Sequence, residues 1–399
     1  MRKVCLAYSG GLDTSVIIRW LIEKYDADVV TVTVDVGQKD DLSGIEKKAR
    51  AIGATKHYSI DAKNEFVKNY IFPSIKANAL YEGKYPLSAA LARPLIAEKL
   101  VDIANVEDAY AVAHGCTGKG NDQVRFEVAI KAASPKLKII APVREWKLSR
   151  DNEIEYAKRN NIPLPDYQGK YSVDENLWGR AIECGDLDHP ELEPPNDVFE
   201  WTVAPEKSPS EASYVTLGFE EGIPVSVNGR TLDGVELIEY LNNEAGRHGV
   251  GRIDHMEDRL IGIKSREVYE CPAALCFLEA HKDLEKLVLT RHEIMFKQMV
   301  DTQWTWLAYA GLWPDPLRED LEAFIDETQK RVIGEVTLKL FKGNVRVVGR
   351  RSSQSLYNAD LATYDIDSTF DQSQAVGFVE LWGLPTRIAN WLKSVKKGN

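Results

Sequence analysis

The chain has 399 residues, of which 44% are hydrophobic, so it is long enough to form two domains with hydrophobic cores. Its formal net charge of −11 argues against general binding to nucleic acid, whose phosphates attract basic surfaces. No apolar run approaches the length of a membrane span, and the Met1-Arg2-Lys3 start leads directly into a strand. We therefore predict a cytoplasmic protein that binds neither nucleic acid nor membranes.

The cysteines and histidines predict neither a disulfide framework nor a metal site. Five cysteines, an odd number, form no C-x-x-C pair. The seven histidines show no H-E-x-x-H motif and no Cys/His ligand spacing. We assign no metal-binding residues from the sequence.

The first predicted elements enclose a loop suited to phosphate. Arg2 to Tyr8 is typical of a short apolar strand, and Val16 to Tyr25 is typical of a helix with one apolar face. Between them lies the segment Ser9-Gly10-Gly11-Leu12-Asp13-Thr14-Ser15, whose two glycines let backbone N–H groups approach an anion. The N–H groups and dipole at the start of the helix also favour negative charge. No lysine follows the glycines, so this is not the loop of ATPases that transfer the terminal phosphate.

Strands and helices then alternate along the chain. The strands predicted next are 29–36, 56–60, 109–113 and 138–141, and the helices are 41–52, 87–105 and 150–160. This alternation predicts an α/β fold with a doubly wound, mostly parallel sheet. Ligands of such folds bind beyond the carboxyl ends of the strands, where the loops 9–15 and 114–121 are expected.

The second glycine-rich block, residues 114–127, carries side chains suited to an amino acid. It supplies a hydroxyl, an amide, a carboxylate and a guanidinium at Thr117, Asn121, Asp122 and Arg125. Arginine can bind a carboxylate, aspartate an ammonium group, and the two neutral side chains can orient the ligand. Taken alone, the block favours ligand binding, and an ordinary connection between a loop and a helix is the lesser alternative.

The composition changes near Ile162-Pro163-Leu164-Pro165, where we predict a domain boundary. The predicted domains are residues 1–165 and 166–380, followed by a C-terminal helix within 381–399. The acidic, proline-rich segment 183–221 is interpreted as a solvated connector. Strands at 214–219 and 224–227, a helix at 232–245 and a hairpin of 335–341 with 345–350 predict a second, α+β domain. The amphipathic helix 385–395 is expected to pack on its own chain or on a neighbouring subunit.

Two other groups of residues are interpreted as structural. His114, between a strand and a glycine, is expected to be a hydrogen-bonded structural residue. The aromatic residues Trp304, Trp306, Tyr309 and Trp313 are expected in a buried core or a subunit interface, because the acidic balance argues against base stacking.

Together, the two loops resemble the argininosuccinate synthase family. The first loop is similar to that of the N-type ATP pyrophosphatases, which adenylate an acceptor and release pyrophosphate. The resemblance continues in the family's order through most of the chain, at residues 81–87, 91–94, 172–180, 246–254, 262–270 and 355–358. It implies a nucleotide-binding domain, a synthetase and multimerisation domain, and a C-terminal oligomerisation helix.

The resemblance also implies a reaction and its residues. The family joins L-citrulline to L-aspartate through a citrullyl-adenylate in arginine biosynthesis, with release of AMP and pyrophosphate. The implied ATP-binding residues are Ala7, Tyr8, Ser9, Gly10, Gly11, Leu12, Asp13, Thr14, Ser15, Val34 and Gly115. The implied aspartate-binding residues are Thr117, Asn121 and Asp122, and the citrulline-binding residues are Tyr85, Asn121, Arg125, Ser172, Ala181, Glu257 and Tyr269. Asp13 and Asp122 are the candidate catalytic residues, and Asp122 could either orient or deprotonate the aspartate amine. Mg²⁺ is expected on the ATP phosphates, and the assembly is expected to be a homotetramer.

The sequence departs from the family pattern at a few positions. Ala89, Ala90 and Ala181 stand where hydroxyl side chains are common, and Cys116 stands where alanine is usual. The alanines could loosen citrulline binding or leave room for a bridging water. We expect activity to persist because Arg125, the carboxylate of Asp122 and that of Glu257 remain. Cys116 suggests the hypothesis that thiol reagents inactivate the protein.

Two alternatives stay open. One is another pyrophosphate-releasing adenylating ligase, such as an ammonia-using amide synthetase or a tRNA-modifying enzyme. The chain shows neither the appended amidotransferase of the first nor the basic charge and paired cysteines of the second. The other is a non-catalytic nucleotide-binding paralogue, which would bind ATP without turnover. The intact Ser9-Gly10-Gly11 loop and the polar block 117–125 weigh against it.

Overall fold

The computed structural model describes residues 2–146, 150–163, 170–365 and 368–397 of the chain. They fold as two compact units, Met1–Gln354 and Ser355–Asn399. The predicted boundary between residues 165 and 166 lies outside the described residues, and the one between 380 and 381 falls inside a helix, Gln374–Trp382. The predicted domain limits stay predictions.

The first 160 residues build the predicted nucleotide-binding fold around one parallel sheet. Its strands are β1 (Arg2–Ala7), β2 (Ala27–Asp35), β3 (Lys56–Asp61), β4 (Ala111–Ala113) and β5 (Lys138–Ile140). They run parallel in the order β3-β2-β1-β4-β5. The predicted fold class is confirmed.

Helices cover this sheet and connect its strands. They are α1 (Leu12–Tyr25), α2 (Leu42–Ile52), α3 (Lys63–Phe66), α4 (Phe72–Lys76), α5 (Ser88–Val106), α6 (Asp122–Ala133), α7 (Pro142–Trp146) and α8 (Arg150–Arg159). A π-helical segment, Val67–Ile71, joins α3 to α4. Alternate residues of β2 enter two different apolar clusters, Val29 with α1 and Val30 with α5, because successive side chains of a strand point to opposite faces. Burial on both faces explains the continuous β-branched run of this strand.

In the described residues from 170 onwards, nine further strands form two antiparallel sheets. The strands are β6 (Ser172–Asn176), β7 (Gly179–Glu183), β8 (Ser213–Glu220), β9 (Ile223–Val227), β10 (Arg230–Thr231), β11 (Arg252–Asp258), β12 (Lys264–Glu270), β13 (Gly334–Phe341) and β14 (Asn344–Arg351). One sheet has the order β10-β9-β8-β13-β14, and the other has the order β11-β12-β7-β6. The second of these carries candidate site residues on its strands.

The described residues form seven more α-helices. They are α9 (Gly234–Arg247), α10 (Pro272–Val288), α11 (Arg291–Tyr309), α12 (Pro316–Gln329), α13 (Ala359–Ala362), α14 (Gln374–Trp382) and α15 (Leu384–Lys397). Capping boxes fix the starts of two of them: Asp233 with Glu236 for α9, and Thr290 with Glu293 for α11. The last three helices belong to the second compact unit.

The acidic segment 183–221 is more than a solvated connector. Glu270, which is fully buried, accepts hydrogen bonds from the backbone N–H groups of Glu200, Trp201 and Thr202 at 3.0, 2.9 and 2.8 Å. Arg180 adds a hydrogen bond of 3.1 Å to the same carboxylate. The segment is thus anchored to β12, next to the strands of the candidate site.

Candidate active site

The predicted phosphate loop leaves β1 and enters α1 with its N–H groups available. Gly10 has a φ of +79°, a conformation that glycine adopts without strain. No side chain caps the start of α1 at Gly11. The Ser15 hydroxyl donates to the Gly11 carbonyl at 2.6 Å, and Ser9 and Thr14 bring their hydroxyl oxygens within 3.2 Å of each other. The N–H groups at the start of α1 and the hydroxyls of Ser9 and Thr14 are donors suited to a phosphate.

Some predicted ATP-binding residues are buried and pack against the rest of the domain, where they stabilise the loop. Tyr8, Leu12 and Ser15 are buried, and the hydroxyls of Tyr8 and Ser15 lie 3.1 Å apart. The Val34 carbonyl accepts a hydrogen bond of 2.9 Å from the Gln38 side chain. Gln38 therefore holds the backbone at Val34 from within the β2–α2 connection.

The two glycine-rich segments meet in space. β1 and β4 are neighbours in the sheet, so both loops emerge at its carboxyl edge, where the strand order reverses. A Cβ atom on Gly115 would lie 3.3 Å from Cγ2 of Thr14 and 3.4 Å from Cδ1 of Ile17. Glycine at position 115 thus permits the second loop to approach the first. The structure brings these two predicted segments into one site.

A group of two arginines and two aspartates lies beyond the second loop. Asp122, the first residue of α6, accepts hydrogen bonds from Nε of Arg93 at 2.8 Å and from Nη1 of Arg125 at 3.0 Å. Arg93 also donates to Asp174 on β6 at 2.7 Å. Burial would raise the pKa of Asp122, but Arg93 and Arg125 outweigh burial and hold that pKa below its usual range. For Asp174 the balance is reversed, and burial raises its pKa despite the contact with Arg93.

Arg125 is the buried cation of this group, and one of its nitrogens lacks a partner. Its Nε donates to the Tyr309 carbonyl at 3.1 Å, and Nη1 donates to Asp122. Nη2 is buried and has no hydrogen-bond partner among the described residues. Because a buried unsatisfied donor costs free energy, this nitrogen is suited to an anionic ligand group.

A buried carboxylate with two tyrosines forms the adjoining wall. The two carboxylate oxygens of Glu257 accept hydrogen bonds of 2.6 Å from the hydroxyls of Tyr269 and Tyr309. Burial raises the pKa of Glu257 despite these bonds. Tyr85 stacks on Tyr269 with ring centroids 4.5 Å apart, and Tyr81 stacks on Tyr309 at 3.4 Å. This wall combines flat apolar rings with a polar, acceptor-rich floor.

Three predicted ligand residues lie outside the buried part of the site or form hydrogen bonds within the protein. Asn121 donates to the Tyr309 hydroxyl at 2.8 Å, and its carbonyl oxygen accepts from the Leu260 N–H at 2.9 Å. Its amide thus fastens α6 to Tyr309. Thr117 and Ser172 are exposed, and Thr117 lies on the loop between Gly115 and α6.

The antiparallel sheet groups the remaining candidates on one face. Ala181 on β7 pairs with Tyr269 on one side and with Asp174 on the other. Directly paired residues share a face, and Ser172 lies two residues from Asp174 on that same face. A hydroxyl at position 181 would therefore lie between a predicted citrulline residue, Tyr269, and Asp174.

The departures from the family pattern have structural contexts. The backbone N–H groups of Ala89 and Ala90 donate to the Tyr85 hydroxyl at 2.9 and 3.3 Å, so Tyr85 caps the start of α5. Burial raises the pKa of the Cys116 thiol, which opposes formation of the reactive thiolate. His114 is buried, and its ring nitrogens lie 3.2 Å from the Cys116 N–H group and 3.2 Å from Glu127, as expected of a structural residue.

Three site residues were not identified from the sequence. Tyr309 is buried in the core as predicted, and it also contacts Glu257, Asn121 and Arg125. Arg93 is on a largely apolar helix, and Lys48 of α2 donates to the Gly10 carbonyl at 2.7 Å. Arg93 lies in the segment 91–94 that carries part of the family resemblance, but no motif assigns it a role. Tyr309 and Lys48 lie in no quoted motif, and all three reach the site from other elements of the fold.

The described residues include no group of three His, Cys, Asp or Glu side chains that could hold a metal ion. Among the helices of the described part, none is long and apolar enough to cross a membrane.

Comparisons with known proteins agree with the geometry. The family profile of the arginosuccinate synthase N-terminal HUP domain matches residues 3–163, and that of the arginosuccinate synthase C-terminal domain matches residues 171–389. Argininosuccinate synthase from Pyrococcus furiosus is 60% identical over 97% of this chain and 94% of that protein. Argininosuccinate synthase from Halalkalibacterium halodurans is 56% identical over 99% of this chain and 97% of that protein. The one from Bacillus cytotoxicus is 53% identical over 99% and 98% of the two chains.

Proposed function

The chain belongs to the argininosuccinate synthase family, and from this premise we propose how its two loops and its tyrosine–carboxylate wall carry out the reaction. The protein is a ligase of arginine biosynthesis that joins L-citrulline to L-aspartate at the expense of ATP. The assignments of individual residues below are our proposals.

The first step activates citrulline. The ureido oxygen attacks the α-phosphorus of ATP, the bond to the bridging oxygen breaks, and its electron pair leaves with pyrophosphate. The product is a citrullyl-adenylate. The donors of the loop 7–15 would bind the leaving pyrophosphate, and Gly115 would contact the nucleotide from the second loop. Because this step needs an in-line approach and charge neutralisation, positioning and electrostatic stabilisation contribute most of the catalysis.

ATP would be used as its Mg²⁺ complex, in which phosphate oxygens and waters supply most of the metal ligands. Mg²⁺ would neutralise charge on the phosphates. Asp13, in the first turn of α1, is the carboxylate of the phosphate loop and the residue suited to orient this complex.

Citrulline would lie along the buried wall. Its α-carboxylate suits Nη2 of Arg125, a charge-assisted contact that would satisfy the one unpaired donor of that side chain. Its N–H-rich groups suit Glu257, whose orientation Tyr269 and Tyr309 fix. Tyr85 supplies a flat apolar surface, and Ser172 and Ala181 line the sheet face beside Tyr269.

Aspartate completes the reaction. Its ammonium group first releases a proton to water, the resulting amine attacks the activated ureido carbon, AMP leaves with the former ureido oxygen, and the nitrogen then loses a second proton to water. Asp122 would bind the ammonium group before attack, with Thr117 orienting the ligand. The low pKa that Arg93 and Arg125 impose on Asp122 makes it a weak proton acceptor, so we assign it orientation of the amine. Asn121 contributes by holding Tyr309.

We also propose a homotetramer in the cytoplasm. The second compact unit exposes apolar side chains on its last helix, and Ile388, Trp391, Leu392 and Val395 are 48–63% exposed. Burial of such a face against sister chains would stabilise an assembly.

The observation that carries the proposed site is the buried, unpartnered Nη2 of Arg125 beside Glu257. The test is release of AMP and pyrophosphate from Mg-ATP with citrulline and aspartate, and with each amino acid omitted. AMP release that requires both, with argininosuccinate accumulating, is the expected result. AMP release with another acceptor would indicate a different adenylating ligase, and ATP binding without turnover would indicate a non-catalytic paralogue.

A further inference from the structure

Helix α2 contacts the phosphate loop at two points one turn apart. The Ile45 side chain occupies the space beside Gly10, where a Cβ atom would come within 2.8 Å of its Cγ1. Lys48, three residues later on the same face of the helix, donates from Nζ to the Gly10 carbonyl at 2.7 Å. The loop is therefore held from behind by a helix that begins about thirty residues further along the chain.

The bond from Lys48 fixes the direction of a peptide unit. In a trans peptide the carbonyl and the following N–H point to opposite sides. Because the Gly10 carbonyl faces Lys48, the Gly11 N–H must face away from it. That N–H lies 3.4 Å from the Ser9 hydroxyl, a long contact, and Ser9 in turn lies beside Thr14. Lys48 thus turns the Gly11 N–H toward the donors that would bind phosphate.

Lys48 also brings a positive charge that no carboxylate of the described residues neutralises. The side chain is half-buried, and among the described residues no carboxylate forms an ion pair with it. Burial lowers its pKa, and no acidic side chain opposes that effect. Arg50, on the same helix, pairs with Glu46 at 2.8 Å instead. A half-buried ammonium without a counter-ion is suited to a site whose ligand is an anion.

We propose that Lys48 is a positioning residue for the pyrophosphate of ATP: it holds the Gly10 carbonyl, orients the Gly11 N–H and supplies the positive charge that the loop itself lacks. The inference rests on the proposed function, because it concerns the same ATP site. In ATPases that transfer the terminal phosphate, a lysine within the loop itself contacts the phosphates. In this protein, a lysine of α2 would take that function. The contribution of Lys48 to binding free energy grows with the negative charge of the ligand's phosphates. It should therefore be large for ATP and pyrophosphate and small for AMP.

The test compares Lys48→Met and Lys48→Arg with the control Lys47→Met. Lys47 is the exposed neighbour of Lys48 on α2. Binding of a non-hydrolysable ATP analogue with Mg²⁺, and of AMP, is measured by calorimetry. Lys48→Met is expected to weaken analogue binding about ten- to hundredfold and AMP binding less than threefold, in line with loss of a hydrogen bond to a charged group. Lys48→Arg should recover most of the loss, and Lys47→Met should match the parent protein.

Steady-state kinetics gives a second readout. In Lys48→Met the KM for ATP should rise and inhibition by pyrophosphate should weaken, while the KM for citrulline and that for aspartate stay within twofold. Equal loss of analogue and AMP binding, or unchanged analogue binding, would overturn the proposal. If Lys48→Met fails to fold, Lys48→Gln, which keeps a donor without the charge, replaces it under the same criteria. Binding of the analogue does not require turnover. The binding measurement therefore tests the role of Lys48 even if the parent protein does not catalyse the ligase reaction.

Discussion

Arg125 donates a hydrogen bond of 3.0 Å from Nη1 to Asp122, one turn earlier on α6. This contact ties the guanidinium to the carboxylate assigned to aspartate and leaves Nη2 directed elsewhere, buried and unpartnered in the described part of the chain. The two proposed amino-acid sites would thus be adjacent at one side chain. Loss of the guanidinium should weaken the binding of citrulline most and the binding of aspartate to a smaller extent.

Arg125→Lys tests this arrangement. A lysine keeps the charge but cannot bond Asp122, the Tyr309 carbonyl and a ligand carboxylate in the same planar geometry. We expect the KM for citrulline to rise about ten- to hundredfold, corresponding to about 1.5–3 kcal/mol for a hydrogen bond to a charged group. The KM for ATP should change little. The control is Arg346→Lys, at an exposed arginine of β14. An unchanged KM for citrulline would remove Arg125 from the citrulline site.

Tyr309→Phe tests the wall that the sequence did not reveal. The substitution keeps the ring stacked on Tyr81 but removes the hydroxyl that bonds Glu257 and Asn121. With those buried groups left unpaired, we expect a loss of about 1–3 kcal/mol in the free energy of unfolding. The KM for citrulline should also rise, because Glu257 loses one of its two orienting bonds. Urea unfolding and steady-state kinetics measure the two effects, with the exposed Tyr214→Phe as control. A purely structural role for Tyr309 would lower stability and leave the KM for citrulline unchanged.

Gly10→Ala tests the conformation of the phosphate loop. The positive φ costs an alanine roughly 1–2 kcal/mol, and the added Cβ would lie 2.8 Å from Cγ1 of Ile45. Relief of this close contact requires the loop or Ile45 to move, and such a movement would misplace the bound phosphates. We therefore expect kcat/KM for ATP to fall at least about tenfold. Gly229→Ala is the matched control, because Gly229 has a φ of +76° and no atom within 4 Å of the added Cβ. It should lose some stability and keep its activity. Similar activity in the two variants would contradict a role for the loop geometry.

Glu107→Gln tests the electrostatics at the end of α5. Lys3, Lys56 and Tyr58 donate hydrogen bonds to Glu107 at 2.8, 2.6 and 2.6 Å, and they lower its pKa from 4.5 to about 2. A lowered pKa adds stability above the unfolded pKa, and this stability is lost as the pH falls from about 4.5 toward 2. The difference in unfolding free energy between the parent and Glu107→Gln should therefore be constant from pH 8 to about 5.5 and shrink toward pH 3. Urea unfolding across this range measures it, and the exposed Glu211→Gln should show no such trend. A difference that grows on acidification would contradict the assignment.

The alternating part of the fold could be predicted because its signals are local. The run Val29 to Val36 predicted a strand, and β2 spans Ala27–Asp35; the pattern of 41–52 predicted a helix, and α2 spans Leu42–Ile52. Hydrophobic periodicity and glycine-rich turns are properties of short segments, so they survive without knowledge of the tertiary structure. Element ends shifted by a few residues, since capping and fraying decide them.

The rest of the site could not be predicted because long-range contacts create it. Strand β6, with the sequence Ser172-Val173-Asp174-Glu175-Asn176, is polar and carries no strand signal of its own, and pairing with β7 makes it a strand. Tyr309 is a buried aromatic residue, as predicted, but its hydrogen bonds to Glu257 and Asn121 form only where α11 ends against α6. The amide of Asn121 is predicted to bind ligands, and in the fold it also joins α6 to Tyr309 and Leu260, which the sequence did not indicate. The same type of side chain can bind a ligand or form a hydrogen bond to another element of the fold. Only the tertiary structure shows which contacts a given residue makes.

The most direct test of the account follows the ureido oxygen. Citrulline labelled with ¹⁸O at the ureido position is converted with Mg-ATP and aspartate, and AMP and pyrophosphate are analysed by mass spectrometry. Attack of that oxygen on the α-phosphorus predicts one ¹⁸O atom in each AMP formed and none in pyrophosphate. Unlabelled AMP, or label in pyrophosphate, would contradict formation of a citrullyl-adenylate at this site.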